Sequence, residues 1–232
     1  MQNKTLVFTA TFNEVENIKN FLNIALKIND IDVLIIDDNS PDGTSKIIEE
    51  HQLKAKNLFL VKREKKEGLD TAHKSAFNFA KEKNYQKLIS LDADLSHDPK
   101  IIPEFIDQLN YSPFVIGSRY IAGGKNEMKF IRHIQSLLGN KLIKFVLGIN
   151  CDEFTTSYRG FNLEKMHDFN MNRVSSRGYS FFMGTVHLVN KLGYEIKQIP
   201  ITFIDRKKGV SKIPKIEALR TLKNLFLLKF LS

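Results

Sequence analysis

The chain has 232 residues, 42% of them hydrophobic, so it is long enough to bury a core of its own. Its 35 lysines and arginines outnumber its 26 aspartates and glutamates, which gives a formal net charge of +9. This excess favours anionic partners, namely phosphates, acidic lipid surfaces or nucleic acid, without choosing among them. An intrachain disulfide is excluded because Cys151 is the only cysteine.

The sequence also carries no signal that points to a membrane span or to secretion. No stretch approaches the roughly 18 consecutive apolar residues that a spanning helix needs. Met1 leads directly into a strand-like run, without a basic segment and an apolar signal core. We therefore expect a protein that does not cross a membrane by itself and that works in a reducing, cytoplasmic setting.

Short apolar runs rich in Val, Ile and Leu alternate with stretches of helical periodicity in the first half of the chain. Such alternation predicts an α/β fold in which a mostly parallel sheet is covered by helices. The predicted strands are residues 5–10, 32–36, 58–61, 87–91 and 114–117.

Two predicted helices begin directly after strand ends. Asn13, with Glu16 three residues later, has the spacing of a capping box, and Pro99 after Asp98 is typical of a first helical position. In open α/β sheets the ligand crevice lies at the carboxyl ends of the strands. We therefore look for chemistry at these junctions.

After about residue 125 the pattern changes to a helix over 129–147, a polar patch at 152–159 and a strand over 195–204. A last helix over 215–231 has two interpretations: it lies in a membrane interface, or it packs on the sheet. We predict a single domain over 1–232, composed of a nucleotide-binding half (1–124), an acceptor-side half (125–214) and an amphipathic helix (215–232). The apolar face of that helix contains Ile216, Leu219, Leu222, Phe226 and Phe230.

Two carboxylates follow the strand at 87–91. Because side chains alternate along a strand, Asp92 and Asp94 are predicted to point to the same side. Such a pair needs hydrogen bonds, a shared proton or a hard cation with oxygen ligands, such as Mg²⁺ or Mn²⁺. A solvated turn before the Asp98-Pro99 helix start is the alternative.

A second acidic segment, residues 36–44, runs from a buried-looking strand into a loop. Its carboxylates can accept hydrogen bonds from a base or from ribose hydroxyls. A tight βα turn explains Pro41 to Gly43 equally well but explains Asp37 and Asp38 less well.

A basic loop over residues 205–212 precedes the last helix. Arginines and lysines placed there can neutralise a diphosphate, although a solvated basic loop is the simpler interpretation. Arg119 and Arg132 are further candidate phosphate ligands. The nucleotide signatures Gly-x-Gly-x-x-Gly and Gly-x-x-x-x-Gly-Lys-Ser/Thr do not occur, which argues against dinucleotide oxidoreductases and P-loop phosphotransferases.

Six segments, taken in order, resemble the dolichol-phosphate mannosyltransferase branch of the inverting family 2 glycosyltransferases. The likeness extends over nearly the whole chain. The segments are Ala10-Thr11-Phe12-Asn13-Glu14, residues 37–44, Gly68-Leu69-Asp70-Thr71-Ala72, residues 92–99, Gly117-Ser118-Arg119-Tyr120 and residues 205–212.

The resemblance implies a GT-A fold, a Rossmann-like fold of nucleotide-diphospho-sugar transferases, and a role for each matching position. Asp94, with Ser96 and Asp92, would hold the divalent metal, and Ala93 lies within that motif. Arg206 and Lys212 would meet the donor diphosphate, while Arg119, Arg132 and Ser136 would receive the acceptor phosphate. Asp94, Arg119, Arg132 and Arg206 are thus the catalytic candidates. The nucleoside would be held by Ala10, Phe12, Glu14, Ile36 and Asp38.

The resemblance further implies an inverting transfer of a hexose, first of all mannose from GDP-mannose, to dolichyl or polyprenyl phosphate with Mg²⁺ or Mn²⁺ as cofactor. The enzyme would be peripheral on the cytoplasmic face of a membrane, with or without a small membrane-embedded subunit. A UDP-sugar-dependent transferase and a non-catalytic sugar-nucleotide-binding subunit stay open as alternatives. Nucleic acid is not expected as a partner, because the chain shows neither basic-aromatic interleaving nor a recognised module.

Several positions depart from the pattern of that branch. Phe182 and Gly184 stand where Gln and Glu are typical, and Asp70 stands where a Gly-Leu-Gly segment is usual. These changes indicate an altered pocket and leave the identity of the sugar and the lipid open.

Overall fold

The computed structural model describes residues 4–205 and 217–230, with the side chains of the last helix described from Arg220 onward. A seven-stranded sheet has the order β3-β2-β1-β4-β7-β5-β8. Its strands are β1 (Thr5–Thr11), β2 (Ile31–Asp37), β3 (Leu58–Lys62), β4 (Lys87–Ser90), β5 (Phe114–Ser118), β7 (Arg159–Asn162) and β8 (Ile196–Pro200). A two-stranded sheet joins β6 (Lys125–Asn126) to β9 (Thr202–Phe203).

The large sheet is parallel except for β7, which runs antiparallel to both β4 and β5. The strand order reverses at β1, which has β2 on one side and β4 on the other. A crevice at the carboxyl ends of the strands is expected at such a switch point. The predicted α/β class and the five predicted strands are confirmed.

Helices cover both faces of the sheet, and each face has its own hydrophobic cluster. Leu6, Phe8 and Leu34 point to one cluster, whereas Val7, Val33 and Ile35 point to the other. This alternation explains why the strands read as continuous apolar runs, since both faces are buried. The helices are α1 (Ile18–Ala25), α2 (Thr44–Gln52), α3 (Leu69–Glu82), α4 (Ile102–Tyr111), α5 (Phe130–Leu147), α6 (Ser180–Lys191) and α7 (Glu217–Phe230).

One of the two predicted helix starts is wrong. Asn13 adopts a left-handed conformation with φ of 57°, and its backbone N–H donates to Ser40 Oγ at 3.0 Å. The chain therefore turns before α1, which begins at Ile18 with Asn17 as its N-cap.

The other start is confirmed. The Asp98 carboxylate accepts from the backbone N–H of Lys100 at 3.0 Å, and Pro99 opens a short 3₁₀ helix that leads into α4.

The predicted strand over 195–204 is two strands. Residues of β8 pair with β5, after which the chain leaves the large sheet and β9 pairs with β6. Ile201 lies between the two strands and is buried in the core.

The last helix buries a different set of residues from the predicted stripe. Leu225 and Leu228 are buried, whereas Leu222 is 41%, Phe226 59% and Phe230 72% exposed. For these three residues of the predicted apolar face, packing on the sheet is therefore the wrong interpretation. The side chains of Ile216 and Leu219 lie outside the described part of the chain. No helix in the described ranges combines the length and the apolarity needed to cross a bilayer.

Candidate active site

A cavity of about 630 Å³ opens at the carboxyl ends of β1, β4 and β5. It collects most of the predicted site residues from both halves of the chain. Ile36 is an exception, because its side chain is 1% exposed and lies in the core at the end of β2. Arg206 and Lys212 lie outside the described residues. The predicted residues that line the cavity are Ala10, Phe12, Glu14, Asp38, Asp92, Ala93, Asp94, Ser96, Arg119, Arg132 and Ser136.

The two aspartates that follow β2 differ in role. Asp37 is fully buried and accepts hydrogen bonds from Thr11 Oγ1 at 2.7 Å and Ser45 Oγ at 2.8 Å, so it ties β1 to the start of α2. Asp38 lines the cavity and accepts from Arg63 Nη1 at 2.9 Å and from the Gly68 backbone N–H at 3.2 Å. Asp38 is therefore the member of the pair that is available to a nucleoside.

The loop from 41 to 43 is a tight turn, as the alternative interpretation proposed. Gly43 has φ of 93°, a left-handed conformation that glycine adopts without strain. Asp42 accepts from the Val15 and Thr44 backbone N–H groups, each at 3.0 Å. This turn fixes the loop beside Glu14 without contributing a side chain to the cavity wall.

Asp94 is held by the residue two positions later. Its Oδ1 accepts from Ser96 Oγ at 2.6 Å and from the Ser96 backbone N–H at 3.0 Å. Leu95 between them has φ of 62°, a strained value for a residue with a branched side chain. The turn thereby holds Asp94 and the Ser96 hydroxyl side by side at the cavity wall.

Asp92 is held from the acceptor-side half. Its Oδ1 accepts from Ser157 Oγ at 2.7 Å, and its Oδ2 lies 3.5 Å from His97 Nδ1. The other ring nitrogen of His97 lies 3.1 Å from Thr156 Oγ1. Burial lowers the pKa of His97, although Asp92 opposes the shift, so the ring is neutral at neutral pH. His97 is therefore a neutral residue of this loop that contacts Asp92 and Thr156.

The residues around Asp92 and Asp94 fit a hard divalent cation. They offer carboxylate and hydroxyl oxygens, which are the ligands preferred by Mg²⁺ and Mn²⁺. In the described part of the chain, no group of three or more His, Cys, Asp and Glu side chains forms a metal cluster. A cation at this site would therefore take its remaining ligands from water or from the phosphates of a bound nucleotide.

Arg119 follows β5 and forms a buried ion pair with Glu153. Nε and Nη2 donate to the two carboxylate oxygens at 2.7 and 2.8 Å, and Nη2 also donates to Thr155 Oγ1 at 2.9 Å. Burial alone would raise the pKa of Glu153, but Arg119 and the bonds from Thr155 lower it. Both groups are therefore charged at neutral pH.

Arg132 and Ser136 extend the basic side of the cavity from α5. Arg132 Nη1 lies 3.1 Å from Asp205 Oδ1, and Ser136 Oγ accepts from the Tyr120 hydroxyl at 2.7 Å. Arg119, Arg132 and Ser136 thus line the same cavity as Asp38, Asp92 and Asp94. The cavity therefore contains both acidic groups and cations.

Several residues of the cavity and its surroundings are not predicted from the sequence. Lys66 and Arg220 line the cavity, and Lys66 Nζ lies 4.0 Å from the centre of the Phe12 ring. Arg63 and Glu153 act behind the wall, as partners of Asp38 and Arg119. None of the four lies in a segment with a recognisable pattern, apart from the polar composition of 152–159 around Glu153.

The two departures in α6 have separate consequences. Phe182 lines the cavity and its ring centre lies 5.2 Å from that of buried His73. Gly184 is a packing position, since a Cβ there would lie 2.8 Å from Ser176 Oγ. The wall at Phe182 is therefore apolar, and a larger residue at 184 would require Ser176 to move.

Comparisons with known proteins point to one family. The model of the family described as "Glycosyl transferase family 2" matches residues 6–169. The chain is 30% identical over 212 residues to the undecaprenyl-phosphate mannosyltransferase of Micrococcus luteus, covering 90% of this chain and 87% of the relative. It is also 30% identical over 214 residues to the polyprenol monophosphomannose synthase of Mycolicibacterium smegmatis, covering 90% and 81%.

Solved structures of low sequence identity share the fold. Glucosyl-3-phosphoglycerate synthase from Mycobacterium tuberculosis, in complex with Mn²⁺, UDP and phosphoglyceric acid, is 14% identical with a TM-score of 0.70, covering 97% of this chain and 77% of that one. A Pyrobaculum calidifontis mannosyltransferase in complex with GDP-mannose and Mn²⁺ is 15% identical with a TM-score of 0.56, covering 88% and 58%. The fold is therefore the GT-A fold, and the chain is a glycosyltransferase that belongs to glycosyl transferase family 2.

Proposed function

We propose that this enzyme transfers mannose from GDP-mannose to a polyprenyl or dolichyl phosphate with inversion, and that it uses Mg²⁺ or Mn²⁺. The observation that carries the proposal is that one cavity is lined both by the carboxylates Asp38, Asp92 and Asp94 and by the cations Arg119 and Arg132. A transferase that joins a sugar nucleotide to a phosphate needs this arrangement, because it must bind two anionic reactants. The two mannosyltransferases at 30% identity supply the choice of sugar and acceptor class.

On the donor side, Asp38 and Glu14 would hold the nucleoside, and Asp92, Asp94 and Ser96 would hold the metal; all five residues line the cavity. A bound cation would neutralise charge on the departing diphosphate. Arg206 and Lys212, in the proposal, approach the same diphosphate from the basic loop. Ser96 and Ser157 keep the two aspartates oriented before the donor arrives.

On the acceptor side, the reaction needs no dedicated general base. A phosphate monoester has a second pKa near 6 and is largely dianionic at neutral pH. One of its oxygens forms the new bond to the anomeric carbon, while the bond from that carbon to the donor diphosphate breaks on the opposite face. Arg119, Arg132 and Ser136 would hold the phosphate in line for this displacement.

We also propose that the enzyme docks on the cytoplasmic face of a membrane through α5 and α7. Both helices line the cavity at their N-terminal parts, with Arg132 and Ser136 on α5 and Arg220 and Thr221 on α7. An acceptor whose phosphate enters the cavity can therefore keep its hydrocarbon chain along these helices. Their exposed apolar side chains are Phe130, Ile131, Ile134, Leu138, Leu142 and Phe145 on α5, and Leu222, Phe226, Leu227 and Phe230 on α7.

The first test is transfer of radiolabelled sugar to a short polyprenyl phosphate, with label counted after extraction into organic solvent. GDP-mannose, UDP-glucose and UDP-N-acetylglucosamine are compared with Mg²⁺, with Mn²⁺ and with EDTA. We expect label from GDP-mannose alone, and none with EDTA. Label from a UDP-sugar would replace the donor assignment, and intact donor binding without transfer would favour a non-catalytic or partner-dependent subunit.

The Asp94→Asn variant belongs in the same assay. It keeps the size and one oxygen of the side chain but removes the charge that a cation needs. We expect transfer to fall by at least about 100-fold, on the order of the loss of one charge-stabilising group. Near-normal turnover would contradict the proposed metal site.

A further inference from the structure

The buried carboxylate of Glu153 contacts Arg119 without lining the cavity. We propose that Glu153 is a positioning residue, which holds the Arg119 guanidinium in the orientation that binds the acceptor phosphate. The inference rests on the proposed function, because it deepens the role of Arg119 in that site.

The geometry of the pair is that of a fixed fork. Nε and Nη2 of Arg119 donate to separate oxygens of Glu153, at 2.7 and 2.8 Å. Because the guanidinium is planar, two hydrogen bonds from its Nε–Nη2 edge fix the orientation of the whole group. Nη1 is then the terminal nitrogen that the carboxylate does not engage, and no other described residue accepts a hydrogen bond from it.

Glu153 is itself fixed by its own neighbours. Its Oε1 accepts from the Thr155 backbone N–H at 3.0 Å and from Thr155 Oγ1 at 2.9 Å, and its side chain is fully buried. Thr155 lines the cavity and also accepts from Arg119 Nη2. The segment Glu153–Thr155 therefore connects the cavity wall to the back of Arg119.

A purely stabilising role does not explain this pair well. Burying two charges costs desolvation free energy, so a buried ion pair is weak evidence for stability. Here the arginine lines a cavity, and only the carboxylate is removed from it. An arrangement of this kind orients a cation for a ligand at the cost of burying its counter-ion.

The pair also bears on Asp92 of the proposed metal site. Arg119 and Asp92 line the same cavity, and their side chains are of opposite charge, so they attract each other. An unrestrained arginine would be drawn to Asp92 and would compete with a cation there. Glu153 instead engages the guanidinium, and Asp92 accepts from the hydroxyl of Ser157.

The test compares Glu153→Gln, Arg119→Lys and the double variant with the wild type. Acceptor KM and kcat are measured with farnesyl phosphate, and the dissociation constants of GDP-mannose with Mn²⁺ and of farnesyl phosphate are measured by calorimetry. We expect Glu153→Gln to raise the acceptor KM and dissociation constant roughly 10- to 100-fold, the range for one charged hydrogen bond. Donor affinity should stay within about twofold, because Glu153 does not line the cavity and acts through Arg119.

The double variant distinguishes positioning from a general structural role. If Glu153 acts through the guanidinium fork, adding Glu153→Gln to Arg119→Lys should weaken farnesyl phosphate binding by less than about twofold further, since coupled residues are not additive. Equal effects in both backgrounds, parallel losses of donor and acceptor affinity, or wild-type acceptor binding in Glu153→Gln would each overturn the inference.

Two further measurements keep the outcome decisive. Should Glu153→Gln fail to fold, Glu153→Asp retains the charge on a chain one methylene shorter, and we expect an intermediate loss of acceptor affinity; wild-type affinity would refute the positioning role. If the wild type transfers no sugar, the proposed function fails, while farnesyl phosphate calorimetry on the same variants still tests Glu153.

Discussion

Serine and threonine hydroxyls hold the buried and half-buried carboxylates of the site. Ser96 donates to Asp94, Ser157 to Asp92, and Thr155 to Glu153. Each hydroxyl fixes a carboxylate without cancelling its charge, so the anion keeps its attraction for a cation. The acidic and basic groups of the cavity are therefore oriented before any ligand binds.

Local spacing explains which of these residues the sequence predicts. Asp92, Asp94 and Ser96 lie within five positions of one another, and a strand end followed by a turn brings them together. Glu153 lies 34 positions from Arg119, and Ser157 lies 65 positions from Asp92. Such partners are set by the pairing of β7 with β4 and β5, which no local pattern indicates.

His73 provides a test of the core at the scale of a single residue. Its ring packs edge-on against Phe8 at 5.0 Å, and burial, together with the charge of Arg159, lowers its pKa to about 3. The unfolded chain binds a proton below its ordinary pKa of 6.5, whereas the folded protein does not. The contribution of His73 to the free energy of unfolding is therefore fully present above pH 6.5 and is lost as the pH falls from 6.5 to about 3.

We expect His73 to account for about 2 kcal/mol of the stability lost between pH 7 and pH 5, at 1.36 kcal/mol per unit below the unfolded pKa. Urea unfolding of the wild type and of His73→Leu at both pH values measures this contribution. Between pH 7 and pH 5, the decrease in the free energy of unfolding should be smaller in His73→Leu than in the wild type, and the difference should equal the contribution of His73. The variant His167→Gln, which changes an exposed histidine, should behave like the wild type. The same loss in all three proteins would show that His73 does not carry the effect.

Among the elements, α5 and α7 depart most from the arrangement that their sequence periodicity indicates. Only Asn140 and Ile143 of α5 are buried, and the stripe of α7 lies partly in solvent. Periodicity identifies an apolar face but not the side that the rest of the protein covers. The sequence therefore predicts these two helices correctly and leaves their orientation open.

The strand β7, in contrast, is an element that the sequence pattern does not predict. Residues 159–162 contain no apolar run, and Arg159 is buried because its guanidinium donates to the carbonyl oxygens of Phe154, Thr156 and Phe182. From the sequence alone, an arginine is predicted to lie on the surface. This one is tolerated because three carbonyl acceptors satisfy it.

The outward face of α5 is the element to test for docking. Leu138 is 59% and Phe145 85% exposed, and they lie two helical turns apart on the same face. Changing both to Glu should lower binding to phosphatidylglycerol-containing vesicles at least about tenfold, given the apolar area removed from the interface. Co-sedimentation measures the change. Turnover of soluble farnesyl phosphate should persist, since neither residue lines the cavity.

Leu53 supplies the matched control. It is 87% exposed and lies at the C-terminal end of α2. Leu53→Glu should leave vesicle binding unchanged. Equal losses from the control and from the α5 variant would show that added negative charge, and not the apolar face, determines binding.

At the scale of the whole molecule, a cavity that contains both carboxylates and cations belongs to a chain with a large excess of basic residues. One cavity at the carboxyl edge of the sheet holds Asp38, Asp92 and Asp94 together with Arg119 and Arg132, and the chain has a formal net charge of +9. On α7, Arg220, Lys223 and Lys229 are exposed beside the apolar residues. Charge and apolar area are thus available on the same side as the cavity entrance.

Ionic strength should separate these two contributions to membrane binding. The Debye length shortens from about 10 Å at 0.1 M salt to about 3 Å at 1 M, so attraction between basic residues and anionic lipid fades while apolar insertion does not. Binding to anionic vesicles should fall with added salt to a plateau, and the variant with Leu138 and Phe145 changed to Glu should show no plateau. A wild-type protein that dissociates completely at high salt would be held by charge alone, and the apolar faces of α5 and α7 would then need another partner.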